Sequence, residues 1–584
     1  MKPIIGLYGI QDRQDGPHPL ETHDHGLCRL EDGRVVRHMT LERWTRRRYD
    51  NRLHEHIDEL VSVGFLQRGE DVVVASADSF VGRAFISRSG RWRVEADTSP
   101  LSAGLVRARA HVMHRDVEAY VVPHELAHLG ASLPFLGSWE EDTLLVHVDG
   151  AASQSCCSAW LWRGGRLALL DHGWETAEAV AGYATNNLAQ MLVGHSWQTF
   201  LAVPGKLMGL AAWGEVEPAM CEWLDRHAWF SRLREGPAAF LEAARRELGW
   251  TGELTPLDPL IRGIAACFQW RFEEAVLAYV RRFAERTSAR RLVLAGGGAL
   301  NLSTNQRLVE SGWFERVFVP PCAGDDGLAL GAASITSLLL QHRPMHEHGP
   351  FLNDVGAEGL GDLDDTEVIV LADAIASGRV VASCLGNAEV GPRALGHRSL
   401  LTRPMVADAA RVSVELKRRE PWRPVSPMIL RELADELFFG APSRSSLAPY
   451  MLGRFRARER ALADAPGGVH VDGTARVQTV GDERELRPLR RLLEALWSRH
   501  RIPCVINTSF NRQGEPLVQT TEQAREAATA MGVDLLWHSS GVEVVGGAWA
   551  SAGVMGERTP GAEVRIRSVG DGELGEGRDR GTIR

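Results

Sequence analysis

The stretch His124-Glu125-Leu126-Ala127-His128 sets two imidazoles four residues apart. On a helix that spacing puts both on one face, where they form half of a metal site. The same five residues spell H-E-x-x-H, the zinc-protease signature, in which the glutamate is the general base. Such a protease carries the motif inside a helix and has a further ligand downstream. Here the β-like run "VEAYVV" leads in, Pro123 directly precedes His124, and Gly130 follows His128 by two residues with no third histidine after it. Proline suits the first turn of a helix, so the histidines belong to opening turns and the protease reading is a poor one. One or two carboxylates from elsewhere must then complete the site. Asp149 ends "LLVHVDG", and Asp325 lies in "PPCAGDDGLALGAA". A carboxylate at a strand end can point into a cleft, and neighbouring glycine lets a phosphate approach the backbone. In "LVLAGGGALN" a strand breaks into Gly296, Gly297 and Gly298 before a helix-like stretch, an arrangement that cradles phosphate or nucleoside. "VPGKLMGLAAWG" reads as a further glycine-spaced loop carrying Lys206.

These residues need strands and helices to hold them. "PIIGLYGI", "EAYVVP", "TLLVHVDG" and "RLVLAGGG" read as strands, and "FQWRFEEAVLAYVRRFAERTS" as an amphipathic helix. In that helix Phe272, Val276, Tyr279, Val280 and Phe283 form the apolar stripe, and core packing accounts for it. Alternation of this kind argues for an α/β protein. From His342 to Asp365 periodicity is lost, which predicts a solvated linker whose histidines His342, His346 and His348 hold no metal. After it "EVIVLADAIASGRVVASCLG" restarts a strand-helix-strand pattern. No internal repeat is legible.

With 584 residues, two or more domains are expected. A net charge of −9 without a basic stripe argues against nucleic acid as partner. Eight scattered cysteines, none in a C-x-x-C pair, fit reduced thiols rather than a disulfide framework. No signal peptide or long apolar run is apparent, so a cytoplasmic protein without a membrane partner is expected.

Taken in order, the paired histidines, the Asp-Gly turn, "GKLMGLAAWG", "AGGGALN", "GDDGLALGAA", "EVGPRALGHRSLL", "LKRREPWRPVSP", "HVDGTARVQTV" and "INTSFNRQGEP" resemble the O-carbamoyltransferase family of antibiotic and nodulation-factor biosynthesis. The resemblance implies an actin-like ATPase domain of the RNase H-like class over 1–345, a linker over 346–365, and a threonylcarbamoyl-adenylate-synthase-like (YrdC-like) α/β domain over 366–555. A disordered tail is expected over 556–584. It further implies that His124, His128, Asp149 and Asp325 hold a divalent metal, iron as Fe2+ being expected, with Mg2+ a possible companion. ATP is expected at Gly205, Lys206, Gly296, Gly297, Gly298 and Asn301. Carbamoyl phosphate is expected at Arg393, Lys417, Arg419, Arg423, Arg476, Asn507 and Ser509, because guanidinium forks suit a small dianion. The implied reaction makes carbamoyl-adenylate from carbamoyl phosphate and ATP, then passes the carbamoyl group to an acceptor hydroxyl on a glycosylated or polyketide natural product. His23 in "THDHG" falls where the family has a His-Asp pair and is the expected base, with His25 its competitor.

The sequence also departs from the family. Pro123 stands where a further histidine is usual, "DGAASQS" lacks the usual acid after the Asp-Gly turn, "TLERW" replaces an acidic run, and "RQDGPHPLE" is inserted before His23. These changes surround the transfer site and bear on the acceptor and the base. Other readings are a fused tRNA-modifying threonylcarbamoyl enzyme and a non-catalytic metal- and nucleotide-binding regulator. The sequence does not decide between a monomer and a homodimer.

Overall fold

Uninterrupted apolar runs make the central strands, because a strand covered on both faces has no polar side to show. In β1 (Ile4–Tyr8) and β9 (Thr143–Val148) every residue is buried. The computed structural model describes residues 1–11, 22–96, 104–195, 197–231, 237–361, 364–545 and 567–568. The insertion "RQDGPHPLE" and all of the expected disordered tail except 567–568 lie outside the described residues.

The N-terminal half holds two sheets of one design. In the first, β3 (Arg34–Thr40), β2 (Gly26–Glu31) and β1 form an antiparallel meander, and β4 (Val73–Ala77) and β8 (Arg115–Val122) continue it in parallel. In the second, β11 (Arg166–Gly173), β10 (Cys157–Arg163) and β9 form the meander, and β12 (Arg291–Ala295) and β13 (Arg316–Phe318) continue it in parallel. The internal repeat that the sequence hides is therefore present as topology: order 3-2-1-4-8 matches order 11-10-9-12-13. Sequence comparison misses it because a sheet needs only burial pattern and register, not residue identity. This doubled sheet gives the actin-like, RNase H-like architecture. The first copy is widened by the antiparallel strands β5 (Phe85–Ile86), β6 (Trp92–Glu95) and β7 (Val106–Val112). The second is interrupted between β11 and β12 by helices, the longest being Pro259–Thr287. That helix starts nine residues before the predicted one, where Asp258 caps Leu260 N and Pro259 opens the first turn. All five predicted stripe residues are buried in it.

The two copies meet through the helices that follow their last strands, His124–Gly130 and Leu328–Gln341. A Cβ on Gly331 would stand 1.8 Å from the Ala127 carbonyl oxygen, and one on Gly130 would stand 2.5 Å from that of Gly331. Only glycine at both positions allows this approach of backbone to backbone.

The C-terminal α/β domain is built on a sheet in the order β19 (Gln478–Val480), β16 (Ser426–Leu430), β20 (Cys504–Ser509), β15 (Arg398–Thr402), β14 (Val381–Cys384), β21 (Leu535–His538), β22 (Gly541–Val544), β23 (Arg567–Ser568). A side ribbon pairs β17 (Phe455–Arg456) with β18 (Thr474–Ala475). Three expectations need correction here. "EVIVLADAIA" is one helix, Asp365–Ala376, because Asp364 and Glu367 form a capping box that overrides its β-branched residues. "VPGKLMGLA" is a helix, Val203–Ala211, not a loop, and at Gly209 it lies beside Trp422 and Pro424 of the C-terminal domain. The stretch before Asp365 is not a solvated linker. Met345, Phe351 and Leu352 are buried, and Asn353 accepts from His38 Nδ1 at 3.0 Å and Thr40 N at 3.1 Å while donating to the Glu389 carbonyl at 2.7 Å. It is a strap that ties the first sheet to the C-terminal domain. Among the described residues no helix is long and apolar enough to cross a membrane.

Candidate active site

The crossing of the two glycine-paired helices brings their N-terminal ends together. One end carries His124 and His128, and the other is preceded by the helical turn Asp325–Gly327. His128 Nε2 lies 3.5 Å from Asp325 Oδ1 and 3.6 Å from Asp149 Oδ2, and His124 Nε2 lies 3.6 Å from Asp325 Oδ1. All four predicted metal ligands thus converge. His147 joins them: its ring stacks on His128 at 5.3 Å, and His128, His147 and Asp149 offer a second set of three ligand atoms beside His124, His128 and Asp325. Sequence reasoning passed over His147, although a histidine inside the apolar strand "TLLVHV" two residues before Asp149 was a usable signal.

Among the described residues, the buried nitrogens His124 Nε2, His128 Nδ1 and Nε2, and both of His147 have no hydrogen-bond partner. Buried polar atoms left this way are costly unless a ligand completes them. His124 Nδ1 donates to the Asp78 carbonyl at 3.0 Å, which fixes the ring with Nε2 turned toward Asp325, the nitrogen a metal would take in place of its proton. Asp78 also accepts from His124 N at 2.8 Å and fixes the helix start. Two or three imidazoles with two carboxylates fit a divalent transition-metal cation.

Electrostatics point the same way. Burial pushes Asp325 up, but His23 and His124 outweigh it and hold the carboxyl well below the usual range. Burial lowers His124, yet Asp325 and Asp149 hold it up at about 9. His23 is likewise opposed by burial but held up at about 10 by Asp325 and Asp24. These protons stand where a cation would otherwise balance the acids. His147, lowered by burial and then by His128, stays neutral.

His23 hydrogen-bonds Asp24 through Nδ1 at 3.0 Å and turns Nε2 toward Asp325 Oδ2 at 3.8 Å. His25 is buried behind Tyr8, is driven down to about 3 by burial, and among the described residues has no hydrogen-bond partner on either nitrogen. Of the two, His23 faces the centre. Tyr8 at the end of β1 donates to Asp325 at 3.0 Å, a contact the sequence reading did not foresee. Glu125 turns away from the centre: its Oε1 accepts from Gln154 N at 2.9 Å and Ser155 Oγ at 3.0 Å and so braces the turn after Asp149. A zinc-protease base has no counterpart here.

The predicted nucleotide residues separate. Gly296, at φ +95°, turns the chain beside Val148, and Gly297 N donates to Asp149 Oδ2 at 2.5 Å, so the glycine run adjoins the His–Asp centre. Asn301 is committed elsewhere: its Oδ1 caps Thr304 N and accepts from Gln269, and its amide donates to Gln269 at 3.1 Å. Gly205 lies on the helix whose Lys206 pairs with Glu420 of the C-terminal domain.

Beyond Glu420 lies the cationic set. Arg419 donates to Thr508 Oγ1 at 3.1 Å and Ser509 Oγ at 2.9 Å, and Arg476 donates to Ser426 Oγ at 2.7 Å. Arg423 pairs with Glu420 at 3.4 Å, and Arg393 reaches across to the Leu300 carbonyl at 3.4 Å. Burial and then Arg423 push Arg393 down to about 10 and Arg419 down to about 9, and burial with Arg393 and Arg419 drives Arg476 well below its usual range. Among the described residues Arg393, Arg419 and Arg476 have no carboxylate partner, whereas Arg423 already has Glu420. Two predicted members play supporting parts. The Lys417 ammonium is spent on the Ser509 and Asn511 carbonyls and Asn511 Oδ1, and the Asn507 amide donates to the Ala394 carbonyl and Gln478.

Comparison with known proteins agrees with this division. The family model described as carbamoyltransferase N-terminus matches residues 116–334, and that described as carbamoyltransferase C-terminus matches 372–542. Nodulation protein NolO of Bradyrhizobium diazoefficiens is 36% identical over 55% of this chain, and the match spans 61% of that protein's length. Nodulation protein NolNO of Sinorhizobium fredii is 28% identical over 86% of this chain and 76% of its own. Among solved structures, full-length HypF in its phosphate- and nucleotide-bound form covers 58% of this chain, with 56% of its own chain matched, at a TM-score of 0.31 and 12% identity. Both halves of one enzyme family are present, in order, over the two centres just described, and the chain belongs to the carbamoyltransferase family.

Proposed function

We propose that this protein is an ATP-dependent O-carbamoyltransferase with two chemical centres. The observation that supports it most is the pairing itself: a buried His–Asp cluster lacking a cation and a buried arginine cluster lacking an anion, bridged by Arg393 to Leu300 and by Lys206 to Glu420. Carbamoyl phosphate carries nearly two negative charges and matches Arg393, Arg419, Arg423 and Arg476. There water cleaves it to carbamate and phosphate. A carbamate oxygen then attacks the α-phosphorus of ATP, forming carbamoyl-adenylate and expelling pyrophosphate. At the His–Asp centre the acceptor hydroxyl attacks the carbonyl carbon. A new C–O bond forms, the bond from that carbon to the AMP oxygen breaks, and the hydroxyl proton goes to a base.

His124, His128, Asp149 and Asp325, with His147 in reach, would hold a divalent metal, iron being the candidate. A bound cation supplies Lewis-acid polarisation of a phosphoryl or carbonyl oxygen. His23 is the base we favour. Its Nδ1 is anchored by Asp24, and it can accept a proton once the charge of Asp325 is balanced. Gly296–Gly298 would receive nucleotide phosphate beside Asp149. The acceptor class is a hydroxyl-bearing natural product, glycosylated or polyketide, and the setting is the cytoplasm. The test is pyrophosphate release from ATP by the purified protein with and without carbamoyl phosphate. Strict dependence is expected; release that ignores carbamoyl phosphate, or none with both present, sinks the reading.

A further inference from the structure

The loop Arg46–Tyr49 belongs to the N-terminal domain but is docked on the C-terminal one. Arg46 donates to the carbonyls of Leu517 and Pro516 and pairs with Glu515 at 3.5 Å. The chain at that point is tied back by Val518 N to Phe510, next to Ser509 and Asn511, the residues that hold Lys417. The loop is built rather than slack: Arg46 and Tyr49 both sit at left-handed φ, +60° and +59°, which costs a non-glycine residue energy that surrounding contacts must offset. At its other end the Tyr49 ring stands edge-on to the His23 ring at 6.0 Å, and Tyr49 N donates to Glu42 at 3.0 Å. Arg48 lies between these anchors and is open to solvent, whereas Asp50 beside it is fully buried. Its Nη2 donates to the Tyr49 hydroxyl at 2.7 Å, and among the described residues it has no carboxylate partner within ion-pair distance. Its charge is held chiefly by Tyr49, and further by Glu42 and Asp24 on the metal-centre side, and it adds to the crowding of Lys417, Arg419 and Arg423 on the other. A guanidinium with no ion pair, standing between an anion site and an acidic centre, suits a mobile phosphate.

We infer that Arg48 binds the phosphate of the carbamoyl-adenylate as that intermediate passes from the arginine cluster to the His–Asp centre. This rests on the two-step reading above. The intermediate keeps one negative charge on its phosphate. Between the arginine cluster and the cation that the His–Asp centre would hold, the phosphate must pass Glu42 and Asp24, whose charge repels it; Arg48 supplies a cationic partner for the crossing. Without it, the intermediate escapes, and water cleaves its carbonyl–oxygen bond to give carbamate, AMP and a proton.

The test needs no acceptor. With ATP and carbamoyl phosphate alone, the wild-type protein should release a burst of about one pyrophosphate per site and then slow, because the intermediate stays bound. Arg48→Gln should keep the burst and raise the later steady rate about tenfold, the size of one charge-assisted contact. Arg48→Lys, which keeps the charge and loses the fork, should fall between. Burst and steady rate both as in wild type would overturn the inference, as would loss of the burst in both variants, which would place Arg48 in the first step or in folding. If the wild-type protein itself shows no carbamoyl-phosphate-dependent burst, it is the two-step reading that fails.

Discussion

The His–Asp centre and the arginine centre follow one plan with opposite sign. The first sets buried carboxylates among imidazoles whose protons stand in for a metal cation, and the second crowds buried guanidiniums without enough anion to balance them. Taking ions out of water costs several kcal/mol per ion unless partners return it, so each centre defines the ligand it lacks. They differ in how much the protein supplies beforehand. Arg419, Arg476 and Lys417 are already braced by hydroxyls and carbonyls of the C-terminal sheet. The imidazoles of His124, His128 and His147 leave five ring nitrogens with no hydrogen bond among the described residues. The anion site is therefore shaped before its ligand arrives, whereas the cation site is completed by its ligand.

The largest effect should come from Asp325, which touches Tyr8, His23, His124 and His128 at once. Asp325→Ala should strip the metal, read by elemental analysis, and abolish transfer to the acceptor. Unchanged metal content would remove it from the ligand set and break the comparison at its first term. Next, His23→Asn should cut acceptor carbamoylation by about 10²–10⁴-fold while pyrophosphate release changes little. A larger transfer defect in His25→Asn would show that the wrong imidazole has been assigned. Then Arg476→Ala should weaken carbamoyl phosphate by about 2–5 kcal/mol, because removing one partner leaves the remaining charge unpaired. Supplied carbamoyl-adenylate should restore transfer in this variant and not in Asp325→Ala. If neither recovers, the two centres do not work separately. Milder still is the response to inert ligand: inorganic phosphate at about 100 times its Kd should add about 2.7 kcal/mol to stability, seen as a raised Tm that Arg476→Ala abolishes.

The two centres were unequally legible in the sequence. Glycine-flanked acids and an i, i+4 histidine pair announce a metal centre through local rules, and the four ligands so named do converge. Its outer members were not announced. Tyr8 and His147 lie inside apolar strands, and only the doubled sheet, whose repeat is topological, brings them to Asp325 and His128. The arginine centre was drawn from the order of motifs rather than from spacing, since "KRREPWR" alone reads as a solvated face. The structure then sorts that set: Arg393, Arg419, Arg423 and Arg476 stand as crowded cations, whereas the Lys417 ammonium and the Asn507 amide nitrogen are occupied by the protein itself. The strap before Asp365 went unread because its burial depends on one asparagine meeting His38 and Glu389, and composition carries no trace of such a contact.

That strap supports the smallest prediction, on whether acid parts the two centres before either unfolds. His38 is fully buried, keeps one bond to Asn353 at 3.0 Å, and has no partner for Nε2 among the described residues. Burial is the main cause that drives it down to about 4, with Arg43 adding to it and the Asn353 bond opposing. The native protein thus holds this ring neutral where the unfolded chain, with an ordinary value near 6.5, binds a proton. For a depressed group the contribution to stability is complete above about pH 6.5 and is lost as the pH falls toward about 4. The slope from this one group is at most about 1.4 kcal/mol per pH unit across that window. Since Asn353 also holds Glu389 and pairs with Ala388, protonation of His38 loosens the tie between the first sheet and the C-terminal domain. Urea midpoints measured from pH 7.5 to 4.5 should fall in the wild type. They should fall less steeply in His38→Asn, which starts lower at neutral pH because the buried site is repacked. An unchanged slope in the variant would move the acid sensitivity to another buried histidine, His25 being the next candidate at about 3. If metal content and phosphate binding are lost together as the pH falls, the strap and the two centres unfold as one unit. If phosphate binding persists after the metal has gone, the arginine centre is the more autonomous of the pair, as its protein-made bracing implies.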